Sequence, residues 1–277
     1  VLKLAKEVFM YKAIVSDLDR TLLNENHKVS PYTRETIKLL LKKGIKFYIA
    51  TGRSYLGAKE VMEEIGLKIP LITSNGTRIL DESGAEIYVN NLARKYVEKL
   101  IAIDYKSFGN DIILNGYSGS NWYVTEDARA YFYAQKPERK LYPEQISFED
   151  FSTKNFSKIF FLGNHENLLE LEKEVKKVTN DETNIVFVNK RSLEIFSKTC
   201  DKAVAANFLL QKDGLTLKDA VSFGDGVNDY DLITRTGLGF AMKNSIYRLM
   251  EKLSDIEIIE SNENDRMAKK VREIFDL

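Results

Sequence analysis

The sequence holds a single cysteine, Cys200, so no intrachain disulfide can form. That usage fits a reducing, cytoplasmic setting. No apolar run approaches the roughly 18–20 residues that a membrane-spanning helix needs, so no membrane partner is expected. Charge of one sign is not in excess either: Lys plus Arg and Asp plus Glu number 41 each, for a formal net charge of +0. This balance argues against a nucleic-acid partner held through bulk positive charge, although it leaves a local patch open. Histidine is scarce, and His27 and His165 fall far from every motif described below, where loop or surface positions are expected. Internal repeats, low-complexity tracts and Gly/Ser linkers are missing. Residues 1–9 carry Lys3, Lys6 and Glu7 and no signal-like apolar stretch. Met10 is expected to be the natural start, with the residues before it a remnant or an over-extended reading frame.

What is present is ordinary for a globular chain: 277 residues, 44% of them hydrophobic and 30% charged, enough for one large domain or two modest ones. The first ~80 residues repeat one pattern, a short β-rich run followed by a polar or glycine turn and an amphipathic helix. Lys12 to Ser16 is the first run and ends at Asp17. Ser30-Pro31 opens a helix whose Ile37, Leu40 and Leu41 form a buried face, and Gly44 stops it. Ile45 to Ala50 is the second run, ending at Thr51-Gly52-Arg53, and a helix follows to Gly66. Pro70 to Thr73 is the third, ending at Ser74-Asn75-Gly76. Such alternation predicts right-handed crossovers and a doubly wound parallel α/β sheet of the Rossmann kind. Ligands of these sheets bind beyond the carboxyl ends of the strands, so the turns at Asp17, Thr51 and Asn75 should be neighbours.

The middle of the chain reads differently. A hairpin spans about 78–90, with Asp81 to Gly84 as its turn. Aromatics then become dense (Tyr117, Trp122, Tyr123, Tyr131, Phe132, Tyr133, Phe160, Phe161), and Leu168 to Val178 is an amphipathic helix rich in Glu and Lys. The alternation resumes at about Ser192, with a helix over Asp201–Gln211 and strands at Ala220–Phe223, Leu238–Met242 and Ile256–Ile259. The expected organisation is a core of residues 1–85 and 191–277 with an inserted α+β domain at 86–190.

Asp17 and Asp19 close the first run. In extended backbone residues i and i+2 point the same way, so both carboxylates would face one site. Taken alone, Asp-x-Asp after a strand also suits a cap or a turn, whereas two crowded carboxylates call for a cation or a shared proton. Thr51-Gly52 offers a hydroxyl and backbone N–H groups for phosphate oxygens, although an isolated Thr-Gly turn is more often structural. Lys202 stands near the start of a helix, against the dipole, where a solvated surface lysine is the bland alternative. Gly224-Asp225-Gly226-Val227-Asn228-Asp229 puts two acids and two glycines in six residues, more than a plain turn needs, and favours metal binding.

The order Asp-x-Asp, Thr, Lys, Gly-Asp-x-x-Asn-Asp resembles the haloacid dehalogenase superfamily. Within it, the chain resembles the Cof-type phosphatases of subclass IIB, with a large cap after the second motif. The likeness runs from Tyr11 to about Ile274 and includes Ala50-Thr51-Gly52-Arg53, Ser74-Asn75-Gly76 and Ala241-Met242-Lys243-Asn244. It implies hydrolysis of a small phosphate monoester with Mg2+ as cofactor. Asp17 would be the nucleophile that becomes an aspartyl-phosphate, and Asp19 the general acid and base. The Asp17 carboxylate, the Asp19 carbonyl and Asp225 would hold the cation, with Asp229 close by or acting through water. Thr51, Lys202, Asn228 and the backbone of Leu18 and Gly52 would bind the phosphoryl oxygens. The inserted domain would act as a substrate lid.

Three positions depart from the usual pattern: Arg20 and Ala203 where glycine is common, and Arg266 in place of the glycine of an Asp-Gly pair. Arg266 would imply a rebuilt turn if that glycine needed positive φ. Tyr117, Trp122, Tyr123, Tyr131 and Tyr133 could stack on a substrate, although a role in the inserted domain's own core is the simpler reading. Cys200 has no neighbour that marks it as a nucleophile. A phosphomutase of the phosphomannomutase type, or a catalytically silent phospho-ligand binder, are the alternative functions. A receiver domain is excluded by length and by the order of its acidic residues. The sequence leaves oligomeric state open, with a monomer favoured.

Overall fold

The computed structural model describes residues 11–135 and 142–277, the side chains of Tyr133 and Gln135 aside. The expectations for Met10 and for the Tyr133 ring therefore lie outside the described residues. In chain order the first strands are β1 (Ala13–Ser16), β2 (Lys46–Ala50), β3 (Leu71–Thr73), β4 (Arg78–Leu80) and β5 (Glu86–Val89). Then come β6 (Ile113–Ser118), β7 (Asn121–Val124), β8 (Glu144–Gln145), β9 (Lys158–Leu162), β10 (Thr183–Asn189) and β11 (Ser192–Ser197). They are followed by β12 (Ala220–Gly224), β13 (Leu238–Met242) and β14 (Glu257–Ile259). The chain divides into two compact units, one running to Tyr88 and resuming at Asp201, the other spanning Val89–Cys200.

The first unit carries a sheet in the order β14-β13-β12-β1-β2-β3-β4-β5. From β14 to β3 every neighbouring pair is parallel, while β4 runs antiparallel to β3. β1 lies in its middle, so Ala-Ile-Val-Ser is buried at all four positions, as a strand covered on both faces requires. Ile14 packs with Ile37, Leu40, Val61 and Val271 on one face. Ala13 and Val15 pack with Ala206, Leu209 and Leu210 on the other. Helices thus cover both faces, and the expected doubly wound α/β sheet is present.

Local chemistry sets the helix ends. Ser30 Oγ accepts a hydrogen bond from Thr33 N–H at 3.0 Å, with Pro31 at the first helical position of Pro31–Lys42. The buried face of that helix is Thr33, Thr36, Ile37 and Leu40. Leu41, expected with them, is 36% exposed, because the sheet takes up the i, i+3, i+4, i+7 stripe and Leu41 falls beside it. The helix Tyr55–Ile65 ends on Gly66 at φ 61°, a left-handed cap.

The second unit holds a sheet ordered β10-β11-β9-β6-β7-β8. Its core joins Leu114, Phe161 and Ile195 to Val97, Leu100, Leu168 and Leu171 from the helices Arg94–Ile101 and His165–Thr179. β11 pairs antiparallel with β9 and β10, so Ser192–Ser197 belongs to this sheet rather than to the returning α/β pattern. A short apolar run does not reveal which of two sheets it will join. Trp122 donates from Nε1 to Asn115 Oδ1 at 2.9 Å and meets Phe132 edge-on, while Tyr117 stacks on Phe160. These rings pack within the unit itself. Among the described residues no helix is long and apolar enough to cross a membrane.

Candidate active site

Asp17 is the first residue after β1, and its N–H donates to Phe223 O at 2.9 Å, which fixes it to the adjoining β12. The neighbouring strand ends with Gly224, where a Cβ would lie 2.4 Å from that of Asp229. Glycine is needed there so that Asp229 can fold back over the strand end. Asp229 Oδ2 then accepts hydrogen bonds from Asp225 N–H at 3.0 Å and Gly226 N–H at 2.8 Å. Asp17, Asp225 and Asp229 come together, each buried and offering an oxygen within 4.8 Å of the others.

Lys202 begins the helix Lys202–Lys212, whose N-cap is Asp201. Its side chain is fully buried, and Nζ donates to Asp17 Oδ1 and Asp229 Oδ1, each at 2.5 Å. A cation at a helix N-terminus opposes the dipole, so these two carboxylates must hold it there. The solvated-lysine reading does not apply.

Asp19 takes a different course. The backbone leaves β1 through a tight turn over Leu18–Leu22, so residues 17–19 are not one extended run. The Asp19 carboxylate pairs bidentately with Arg53: Nε donates to Oδ2 at 2.7 Å, and Nη2 donates to Oδ1. Arg53 Nη1 is anchored on Gly57 O at 3.1 Å. The side chain of Asp19 is therefore not part of the acidic cluster. Arg20 adopts φ 60°, a conformation that explains glycine as the usual occupant and that costs an ordinary residue ~1–2 kcal/mol. Arg266 is right-handed at φ −59°; the left-handed positions of that turn are Asn264 and Asp265, types that tolerate them.

Thr51 is fully buried, and its hydroxyl accepts from Arg53 N–H at 3.1 Å. Asn75 N–H donates to Thr51 O, and Asn228 Nδ2 donates to Asn75 Oδ1 at 2.8 Å. A Cβ on Gly52 would stand 3.0 Å from Asn75 Oδ1 and 3.5 Å from Asn228 Nδ2. The ends of β2, β3 and β12 thus meet at Gly52, Asn75 and Asn228. Leu18 is buried beside Asp17. Sequence reasoning assigned no role to Arg53 or Asn75, although the turns that contain them were the available signal.

Burial, reinforced by the charges of Asp229 and Asp225, drives the Asp17 carboxyl well above its ordinary value, against the opposing pull of Lys202. Burial and then Asp229 push Asp225 up to about 6. Burial opposes the charge on Lys202, but Asp17 and Asp229 overcome it and raise its pKa. Three carboxylates, with Lys202 on Asp17 and Asp229 and Arg20 3.4 Å from Asp225, still leave net negative charge, and an all-oxygen donor set suits a small divalent cation. Protons and a cation would compete for the same oxygens. Divalent-cation affinity is accordingly expected to weaken as the pH falls through about 6, where Asp225 takes up its proton. Calorimetric titrations at pH 5 and pH 7.5 check this, with weaker binding expected at the lower pH. For the metal-free fold the sign is opposite. A carboxyl with a raised folded pKa binds protons more readily than in the unfolded chain, so its contribution improves as pH falls from about 6 toward 4.

This is a doubly wound α/β fold with an acidic cluster at its strand ends, and comparison with known proteins gives the family. The haloacid dehalogenase-like hydrolase family matches residues 14–271, and the chain belongs to it. A relative from Buchnera aphidicola subsp. Baizongia pistaciae, provisionally named a phosphatase, is 37% identical over 96% of this chain and 99% of its own. An HMP-PP phosphatase from Yersinia pseudotuberculosis is 27% identical, covering 94% of this chain and 93% of that protein. A haloacid dehalogenase-like hydrolase structure from Bacteroides thetaiotaomicron superposes with a TM-score of 0.81 at 26% identity, over 96% of this chain and 100% of that one. The chain is thus an enzyme of this hydrolase family, and the relatives it matches carry phosphatase names.

Proposed function

We propose that the protein is a magnesium-dependent phosphatase of small phosphate monoesters, such as sugar phosphates or phosphorylated cofactors, acting through an aspartyl-phosphate. The observation that carries this reading is the buried Asp17 carboxylate, held by Lys202 at 2.5 Å and crowded by Asp225 and Asp229. Asp17 attacks phosphorus while the bond to the leaving oxygen breaks, and that oxygen takes a proton from Asp19. A water then gives a proton to Asp19, and its oxygen displaces Asp17 to release inorganic phosphate. Lys202, the Thr51 hydroxyl, Asn228 and the N–H groups of Leu18 and Gly52 bind the phosphoryl oxygens. Asp17, the Asp19 carbonyl and Asp225 would hold Mg2+, with Asp229 close by or through water. When bound, the ion supplies positive charge that lets a carboxylate approach a dianionic ester. Asp229 also orients Lys202 and ties down the loop through its two bonded oxygens. The second unit, Val89–Cys200, is proposed as the substrate lid.

The test is phosphate release from a panel of sugar phosphates, nucleotides and phosphorylated cofactors, with Mg2+ and with chelator. Release that needs Mg2+ is expected, while turnover indifferent to chelation would sink the metal assignment. Free phosphate in the absence of any bisphosphate separates this activity from a phosphomutase.

Arg53 has a place in this scheme through Asp19. Arg53→Ala removes both charge-assisted bonds that orient the acid. About a tenfold or greater fall in kcat is expected for alkyl phosphates, whose leaving group needs a proton. The fall should be smaller for p-nitrophenyl phosphate, whose leaving group does not. Equal losses on both would show that Arg53 acts otherwise.

A further inference from the structure

Arg20 is a residue of this chain's own that the mechanism does not use. Its Nη1 lies 3.4 Å from Asp225 Oδ2, and its Nη2 donates to Asn244 O. Asn244 returns the contact, since its Nδ2 donates to Arg20 O at 2.8 Å while its Oδ1 accepts from Asn262 N–H at 3.0 Å. The backbone of Asp225 is held by the same segment, its carbonyl accepting from Ile246 N–H at 3.0 Å. The guanidinium is therefore clasped in place rather than loosely solvated. Its side chain is 51% exposed and that of Asp225 is 9% exposed, so it stands between solvent and a buried carboxylate. The chain also accepts a left-handed φ of 60° at a non-glycine residue to carry it there.

We propose that Arg20 is a built-in counter-ion that competes with the divalent cation for Asp225. It thereby sets the cation affinity of the site below what three carboxylates would otherwise give. The physical reason is charge. An entering cation must either displace the guanidinium from Asp225 or bind beside a fixed positive charge, and both weaken binding. Lys202 cannot play this part, because it is committed to Asp17 and Asp229 on the buried side. The consequence is an enzyme whose occupancy responds to the magnesium concentration around it rather than one that holds the ion permanently.

The inference rests on the reading of the cluster as a cation site, and its test separates the two. The full chain is stripped of metal by chelation and titrated with MgCl2 in a calorimeter, without substrate. Arg20→Gly and Arg20→Asn remove the charge, and both residue types suit φ 60°, so the turn is kept. Both variants are expected to bind Mg2+ about tenfold more tightly than the parent, ~1.4 kcal/mol. Arg20→Lys, which keeps the charge, should stay close to the parent. Unchanged or weaker Mg2+ binding in both neutral variants overturns the proposal while leaving the cation site intact. A raised KM in those variants with unchanged Mg2+ affinity also overturns it, and makes Arg20 a substrate contact. Absence of Mg2+ binding in the parent and in every variant overturns the cation site itself.

Discussion

Asp17→Asn is expected to lower phosphate release by at least about 10³-fold, with the fold intact. The amide oxygen keeps the shape of the carboxylate but lacks the charge and electron density to form the acyl-phosphate bond. Stability should move the other way or hardly at all. Asp17 is buried among Asp225 and Asp229, and its carboxyl is already driven well above its ordinary value, chiefly by burial. Removing one charge from that crowd relieves repulsion, and Lys202 keeps its bond to Asp229. A melting temperature within a few degrees of the parent, beside near-total loss of turnover, is the expected signature. A second measurement names the step. Quenching the reaction of Asp19→Asn with radiolabelled p-nitrophenyl phosphate should trap a hydroxylamine-sensitive phosphoenzyme, because the second step lacks its base. Asp17→Asn should yield none. Phosphate release that survives Asp17→Asn would remove the nucleophile from the scheme.

Much of this arrangement could be read from the chain because strand ends are local features. Asp17, Thr51 and Asn75 each follow a short β-rich run, and parallel pairing of β1, β2 and β3 brings those ends to one edge. The same logic places Gly224 to Asp229 there, since β12 pairs parallel with β1. What the sequence did not reveal are choices made by side chains and by sheets. Asp19 sits two residues from Asp17, yet the turn at Leu18–Leu22 breaks the extended geometry that the i, i+2 argument assumes. Its carboxylate then finds Arg53, thirty-four positions away in the chain. Arg53 looked like part of a turn, because its reach across to Asp19 depends on a rotamer rather than on a pattern. Lys202 taken alone pointed outward, and only the two carboxylates beneath it reverse that expectation. β11 reads as a short buried run like a core strand, but pairing with β9 and β10 decides its sheet. The unusual residue beside the acidic pair, Arg20, is explained only by partners far along the chain, Asn244 and Asp225.

Lys202→Met should damage stability as well as turnover, and the damage should depend on magnesium. The lysine is fully buried, with Nζ bonded to both Asp17 and Asp229. Methionine fills a similar volume, so the loss is of charge rather than of packing. Asp17 and Asp229 would then lose their shared counter-charge, with Arg20 left beside Asp225 alone, a situation that destabilises by about 3–5 kcal/mol. For a unit of this size that corresponds to a fall in melting temperature of about 10 °C in metal-free protein. Turnover should fall by about 10²-fold or more, because the donor proposed for the transferring phosphoryl group is gone. Saturating Mg2+ should recover part of the melting temperature but little of the turnover, since an ion can neutralise the carboxylates without taking the place of Nζ. The double variant Lys202→Met/Asp229→Asn distinguishes charge from shape. Removing one orphaned carboxylate should restore several degrees of stability in chelator if the defect is electrostatic, whereas a packing defect would leave the melting temperature where Lys202→Met put it.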